Sequence, residues 1–142
     1  MALSNSEGLE ERISQVRRRD RRFARNGYYF VLDALDHTIE TLGKDRETGV
    51  SRHVGGKELL GGLRELAAAQ FGPMATVVLE RWGMRSTEDV GEVVFNLIDI
   101  GLLSRRPTDS RLDFADGFDF QRAFEEKFRE RIAAISGTES TH

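Results

Sequence analysis

The sequence contains no cysteine. Thiolate catalysis, disulfide scaffolding, iron–sulfur ligation and cysteine-based zinc sites are excluded, and a reducing compartment is compatible with that usage. Histidine is nearly as scarce. His37, His53 and His142 are the three present, no two stand at metal-ligand spacing, and no HExxH pattern occurs. No stretch approaches the roughly eighteen uninterrupted apolar residues that a membrane span needs, so contact with a membrane is not expected. The first residues, Met1 to Glu11, are polar and acidic and lack the basic start and apolar middle of a secretory signal, which makes the cytoplasm the expected location. Charge of one sign is also missing in bulk: 21 Lys and Arg face 24 Asp and Glu, a net −3. Such a chain has no global attraction for phosphate backbones or anionic lipids.

Catalytic patterns are absent too. Ser51, Ser86 and Ser104 lack a glycine-flanked nucleophile elbow, and Gly55-Gly56-Lys57 lacks phosphate-loop spacing and reads more simply as a helix start. Asp113, Asp116 and Asp119 recur every third position around Gly117, without the alternating ligands of a calcium loop. Phe114, Phe118, Phe120 and Phe124 interleave with them, so this segment is expected to pack its rings on a core with the carboxylates outward. A non-enzymatic chain without cofactor is expected.

The 142 residues, 39% hydrophobic and 32% charged, can bury roughly two-thirds of the surface of the extended chain, which suffices for one globular domain. Leu9, Ile13 and Val16 recur at helical spacing and predict a helix over Glu7–Arg19 with Ser6 as its cap. Tyr28, Val31, Leu32, Leu35, Ile39 and Leu42 place a second apolar stripe on a helix from Asn26 that Gly43 ends. Lys44–Val54, charged and without apolar period, reads as an exposed loop. Leu59, Leu60, Leu63, Leu66 and Ala67 predict a third helix from Lys57, and Phe71-Gly72-Pro73 passes it into a fourth over Pro73–Trp82. Ser86 caps a fifth, acidic in its first turn, which stops at Gly101. Leu102–Arg106 can form a strand, Leu112–Phe120 its return strand, and Phe120–Ile135 a last helix before a disordered tail at 136–142. The organisation expected is a basic helix over 1–26, a helical core over 27–135 and the tail. The expected fold is mainly α, with a winged-helix-like three-helix core and a short β-hairpin.

Leu79–Arg111 carries the order of a helix-turn-helix with its wing: a turn at Gly83, a capped second helix, then Gly101-Leu102-Leu103 and Arg105-Arg106-Pro107. The charge argues against DNA. A reading helix presents basic or small polar groups to phosphates and base edges, whereas this one presents Glu88, Asp89 and Glu92, with Asp99 further along. Basic charge is gathered instead in Arg17, Arg18, Arg19, Arg21 and Arg22, joined by Arg12 and Arg25. Seven arginines against four acids leave +3 on Met1–Asn26. A phosphate or acidic-partner contact stands beside the simpler reading, a solvated helix end favoured by the dipole. The surface expected to receive a protein partner or a second copy combines Glu88, Asp89 and Glu92 with Asp113, Asp116 and Asp119. Nucleic acid bound through the arginine run is the alternative.

Several strings together, namely Lys57-Glu58-Leu59-Leu60, Gln70-Phe71-Gly72-Pro73-Met74-Ala75, Trp82-Gly83, Ser86-Thr87-Glu88-Asp89, Gly101-Leu102-Leu103 and Asp109-Ser110-Arg111, resemble an uncharacterised family of small proteins found chiefly in planctomycete and verrucomicrobial bacteria. The resemblance runs from about Tyr28 to Phe124. It implies a cytoplasmic bacterial setting and carries over no activity or catalytic residue; the arginine run and the tail lie outside it.

Overall fold

The computed structural model describes residues 1–43 and 53–136. Most of the loop expected at Lys44–Val54 and all but Ser136 of the expected tail lie outside these residues. In chain order the elements are β1 (Ala2–Leu3), α1 (Leu9–Arg19), α2 (Arg25–Thr41), α3 (Gly56–Phe71), a 3-10 turn (Gly72–Met74), α4 (Ala75–Arg81), α5 (Thr87–Asp99), β2 (Leu103–Ser104), a second 3-10 turn (Arg111–Phe114) and α6 (Phe120–Ile135). The fold is mainly helical.

The apolar stripes read from the sequence meet one another. Tyr28, Val31 and Leu35 of α2 and Leu59, Leu63 and Ala67 of α3 are buried in one cluster with Val90, Val93, Val94 and Leu97 of α5. Close approach of α2 and α3 depends on Gly62, because a Cβ there would collide with the Thr38 side chain. Glu58 accepts a hydrogen bond from the Gly55 N–H at 2.8 Å and so starts α3. Ser86 caps α5 by accepting from Asp89 N–H. From Asp89 to Ile98 no residue of α5 is exposed; the helix runs through the core rather than along a face.

Three expectations are corrected. Leu112–Phe120 is not a return strand: Ser110 accepts from the Leu112 N–H and Asp113 from the Ser110 N–H, a reciprocal cap that winds Arg111–Phe114 into a 3-10 turn and drops Phe114 into the core. The sheet partner of β2 is therefore not its neighbour but the N-terminal β1, antiparallel, with Ala2 opposite Ser104 and Leu3 opposite Leu103, so no hairpin forms. Ser6 does not cap α1; Gly8, at φ 69°, precedes the helix without a side-chain cap.

The N-terminal 26 residues are part of the same body. Met1, Ile13, Val16 and Phe23 join the core cluster. The Met1 ammonium donates to the Val54 carbonyl at 2.7 Å and to Asp109 Oδ2 at 2.9 Å. Burial lowers the pKa of that ammonium. Burial also opposes ionisation of Asp109, but the Arg106 N–H and the Met1 ammonium outweigh it and hold the carboxyl below its ordinary value.

Candidate anion-binding site

The arginine run divides at Asp20, where the backbone turns extended and α1 ends. Asp20 is held from every side. Its Oδ1 accepts from the Arg22 N–H at 3.1 Å and from Arg22 Nε at 2.9 Å, while Oδ2 accepts from Arg22 Nη2 at 2.7 Å and from Asn96 Nδ2 at 2.9 Å. Asn96 also donates to the buried Tyr28 hydroxyl at 3.0 Å, tying the run to α5 and α2. The paired Arg22 guanidinium, helped by Asn96, holds the Asp20 carboxyl far below the usual carboxylate range, and the Arg22 pKa is raised in return. Arg22 further lies 3.6 Å from Glu92 and 4.9 Å from the Phe23 ring centre. The Ala24 N–H donates to the Trp82 carbonyl, and Gly83, at φ 99°, lets the chain pass close to the Arg22 carbonyl. Arg22 is thus an anchor rather than a free cation.

With that segment fixed, Arg17, Arg18, Arg21 and Arg25 converge with Ser14 around an open cavity of about 310 Å³. Arg25 donates to Ser14 Oγ at 2.6 Å and to the Glu10 carbonyl at 3.2 Å, and Arg17 donates to the Phe23 carbonyl at 3.4 Å. These acceptors are neutral. Glu11, 3.8 Å from Arg18 with both side chains about two-thirds exposed, is the one carboxylate paired with this group among the described residues, and Arg21 makes no hydrogen bond or ion pair there. Such an exposed pair contributes little. Elsewhere Arg111 pairs with Glu92, Arg106 with Asp109, Arg122 with Glu126 and Arg129 with Glu125, while Arg64, Arg81 and Arg85 also make no ion pair among the described residues; what the basin adds is four guanidiniums around one cavity. The basin therefore concentrates uncompensated positive charge on a chain of net −3. Guanidinium forks with a hydroxyl between them suit a carboxylate or phosphate.

Of the five arginines singled out in the sequence, the structure brings Arg17, Arg18 and Arg21 to the basin, turns Arg22 into the anchor and leaves Arg19 exposed outside it. Ser14 and Arg25 complete the lining. Ser14 lies one turn before Arg18 on α1, a spacing visible in the sequence, whereas Arg25 comes from the start of α2 and is brought there by the turn at Asp20.

The acidic residues expected to receive a partner hold the fold's own backbone and cations. Glu88 accepts from the Asp116 N–H at 3.2 Å, and backbone N–H donors, its own first, lower its pKa. Asp89 accepts from the Arg85 N–H at 2.8 Å and Glu92 from Arg111 Nε at 2.7 Å. Asp113 closes the 3-10 cap, Asp116 turns the chain at φ 48°, and Asp119 caps α6 by accepting from the Arg122 N–H at 2.9 Å. Gly117 N–H donates to Thr87 Oγ1 at 3.0 Å, so residues 116–117 lie over the first turn of α5. His37 stands apart, 3.4 Å from Glu65. No group of three or more His, Cys, Asp or Glu among the described residues is placed to hold a metal ion, and no described helix is long and apolar enough to cross a membrane.

Compared with protein-family models, curated proteins and solved structures, the chain matches none.

Proposed function

We propose that this protein is a non-catalytic interaction module that docks an acidic segment of a protein partner in the basin of Arg17, Arg18, Arg21 and Arg25. The observation that carries the proposal is the convergence of four guanidiniums on one cavity with a single weak carboxylate neighbour. Like charges at that density repel one another, and an anion drawn from solution relieves the repulsion. The winged-helix-like order of α3, α4 and α5 serves in this proposal as scaffold. Its second helix is a core element whose first turn is acidic and bonded to residues 116–117, which supports protein contact over the reading of base edges. The resemblance to the small-protein family of planctomycete and verrucomicrobial bacteria adds a cytoplasmic bacterial setting to the proposal. Nucleic acid is the second reading, because the same cations fit backbone phosphates.

Fluorescence anisotropy with a labelled polyglutamate peptide and a labelled DNA duplex tests the proposal. The peptide is expected to bind, more weakly as salt rises, and Arg18→Glu with Arg21→Glu is expected to weaken it by at least about tenfold. Both side chains are exposed, so the fold should survive the change. Salt-sensitive binding of the duplex alone would favour the second reading; binding of neither probe would overturn both.

A further inference from the structure

The arginine basin converges on one point. Its lining is Ser14, Arg17, Arg18, Arg21 and Arg25, with no carboxylate and no histidine among the described residues. Ser14 stands three and four positions before Arg17 and Arg18 on α1, the spacing that makes side chains neighbours on a helix. Arg25 reaches the same place from α2, with its guanidinium 2.6 Å from Ser14 Oγ. That oxygen accepts from Arg25, and its own hydrogen goes to no acceptor among the described residues, so the hydroxyl can donate into the cavity. Every group at the focus is then a donor. Two of the four cations are also positioned in advance: the Phe23 and Glu10 carbonyls hold the half-buried Arg17 and Arg25, while Arg18 and Arg21 are exposed.

Convergence discriminates among acidic groups. In an extended peptide successive side chains alternate, and neighbours on one face stand roughly 7 Å apart. A run of glutamates therefore spreads its charge along the chain and brings one carboxylate to the focus. A phosphomonoester brings nearly two negative charges and three acceptor oxygens around one atom, and at equal distance its Coulomb attraction is about twice as large. Guanidinium forks match that geometry. The phosphates of a nucleic-acid strand carry one charge each and are strung along a backbone, so they share neither property.

We propose that the anion selected by the basin is a phosphomonoester carried on a side chain of the partner. The inference rests on the acidic-partner reading of the basin and narrows it to a phosphorylated segment. Labelled peptides of one neutral sequence, with serine, glutamate or phosphoserine at the centre, test it by fluorescence anisotropy beside the polyglutamate peptide. At pH 7.5 the phosphoserine peptide is expected to bind at least about tenfold more tightly than the single-glutamate peptide. A tenfold preference for the dianion over a singly charged group lowers the second pKa of the bound phosphate by about one unit from its ordinary value near 6, so affinity should fall about fivefold between pH 7.5 and 5. Phosphorus NMR of the complex reads the same displacement directly. The glutamate peptide stays largely ionised over that range and controls for changes in the protein. Arg18→Glu with Arg21→Glu should remove the preference. Equal affinity for phosphoserine and glutamate, or no binding of the phosphoserine peptide beside bound polyglutamate, would overturn the phosphate inference and leave the acidic-partner reading standing. A preference that ignores pH or survives in the double variant would also overturn it, and displacement by an equal concentration of inorganic phosphate would overturn its assignment to a partner's side chain. Binding of no acidic peptide would overturn both.

Discussion

Replacing Gly62 by alanine should destabilise the protein although alanine is the better helix former. Gly62 is buried on α3, directly against Thr38 of α2. A Cβ at this position falls well inside contact distance of Thr38 Oγ1, 2.9 Å from its Cβ and 3.3 Å from its Cα. The last two atoms cannot rotate away, so the helices must separate by several tenths of an ångström across their apolar interface. Overpacking of this kind costs about 1–3 kcal/mol, and the helix-propensity gain of about 1 kcal/mol offsets part of it. A net loss of about 1–2 kcal/mol is expected. Thr38→Ala alone should cost about 1 kcal/mol, because it removes a buried methyl group and a hydroxyl bonded at 2.7 Å to the Ala34 carbonyl. In the double variant the hydroxyl, the atom nearest the new Cβ, is gone, and only the closer approach to the Cβ and Cα of residue 38 remains to be relieved. The pair should then be less destabilised than the sum of the singles by about 1 kcal/mol. Urea unfolding followed by circular dichroism measures all three, provided the slope stays constant. A Gly62→Ala variant with a raised midpoint, or strictly additive losses, would refute the packing of α2 on α3 described above.

Acid should weaken the fold through Asp20 and Asp109. Both have folded-state values below their ordinary 3.8, so the stability they contribute is complete well above that value and is lost as pH falls through it toward the folded value; Asp20→Asn should flatten this loss in thermal melts between about pH 5 and 2. Gly83→Ala should destabilise by about 2 kcal/mol or more, because φ is 99° and a Cβ would strike the Arg22 carbonyl; peptide binding at the basin should weaken with it, since the arginine segment must move. Phe114→Ala should cost about 3–4 kcal/mol in urea unfolding, as the ring fills the space beside Gly56 and Gly91.

The helices were legible because their apolar residues recur at three and four and their ends carry local signals, Ser86 before α5 and Gly72-Pro73 after α3. The β1–β2 pair was not, because two residues near the N-terminus meet two residues a hundred positions later and leave no periodic trace. The Leu112–Phe120 segment misled for the opposite reason. Alternating Asp and Phe resemble a strand, but Ser110 and Asp113 provide a stronger local cap. The acidic residues looked like a surface because a carboxylate accepting a backbone N–H has the same sequence as one facing a partner. The basin's arginines were visible as a run; which of them is an anchor and which face solvent depended on Asp20 meeting Asn96, 76 residues away.

The central claim, that the arginine basin receives an acidic partner, is tested most directly by titrating isotopically labelled protein with a polyglutamate peptide and following backbone amide shifts. The account predicts salt-sensitive, saturable shifts confined to the neighbourhood of Ser14 and to Arg17–Arg25, absent in the Arg18→Glu, Arg21→Glu variant. Shifts centred elsewhere, or none at low salt, would contradict it.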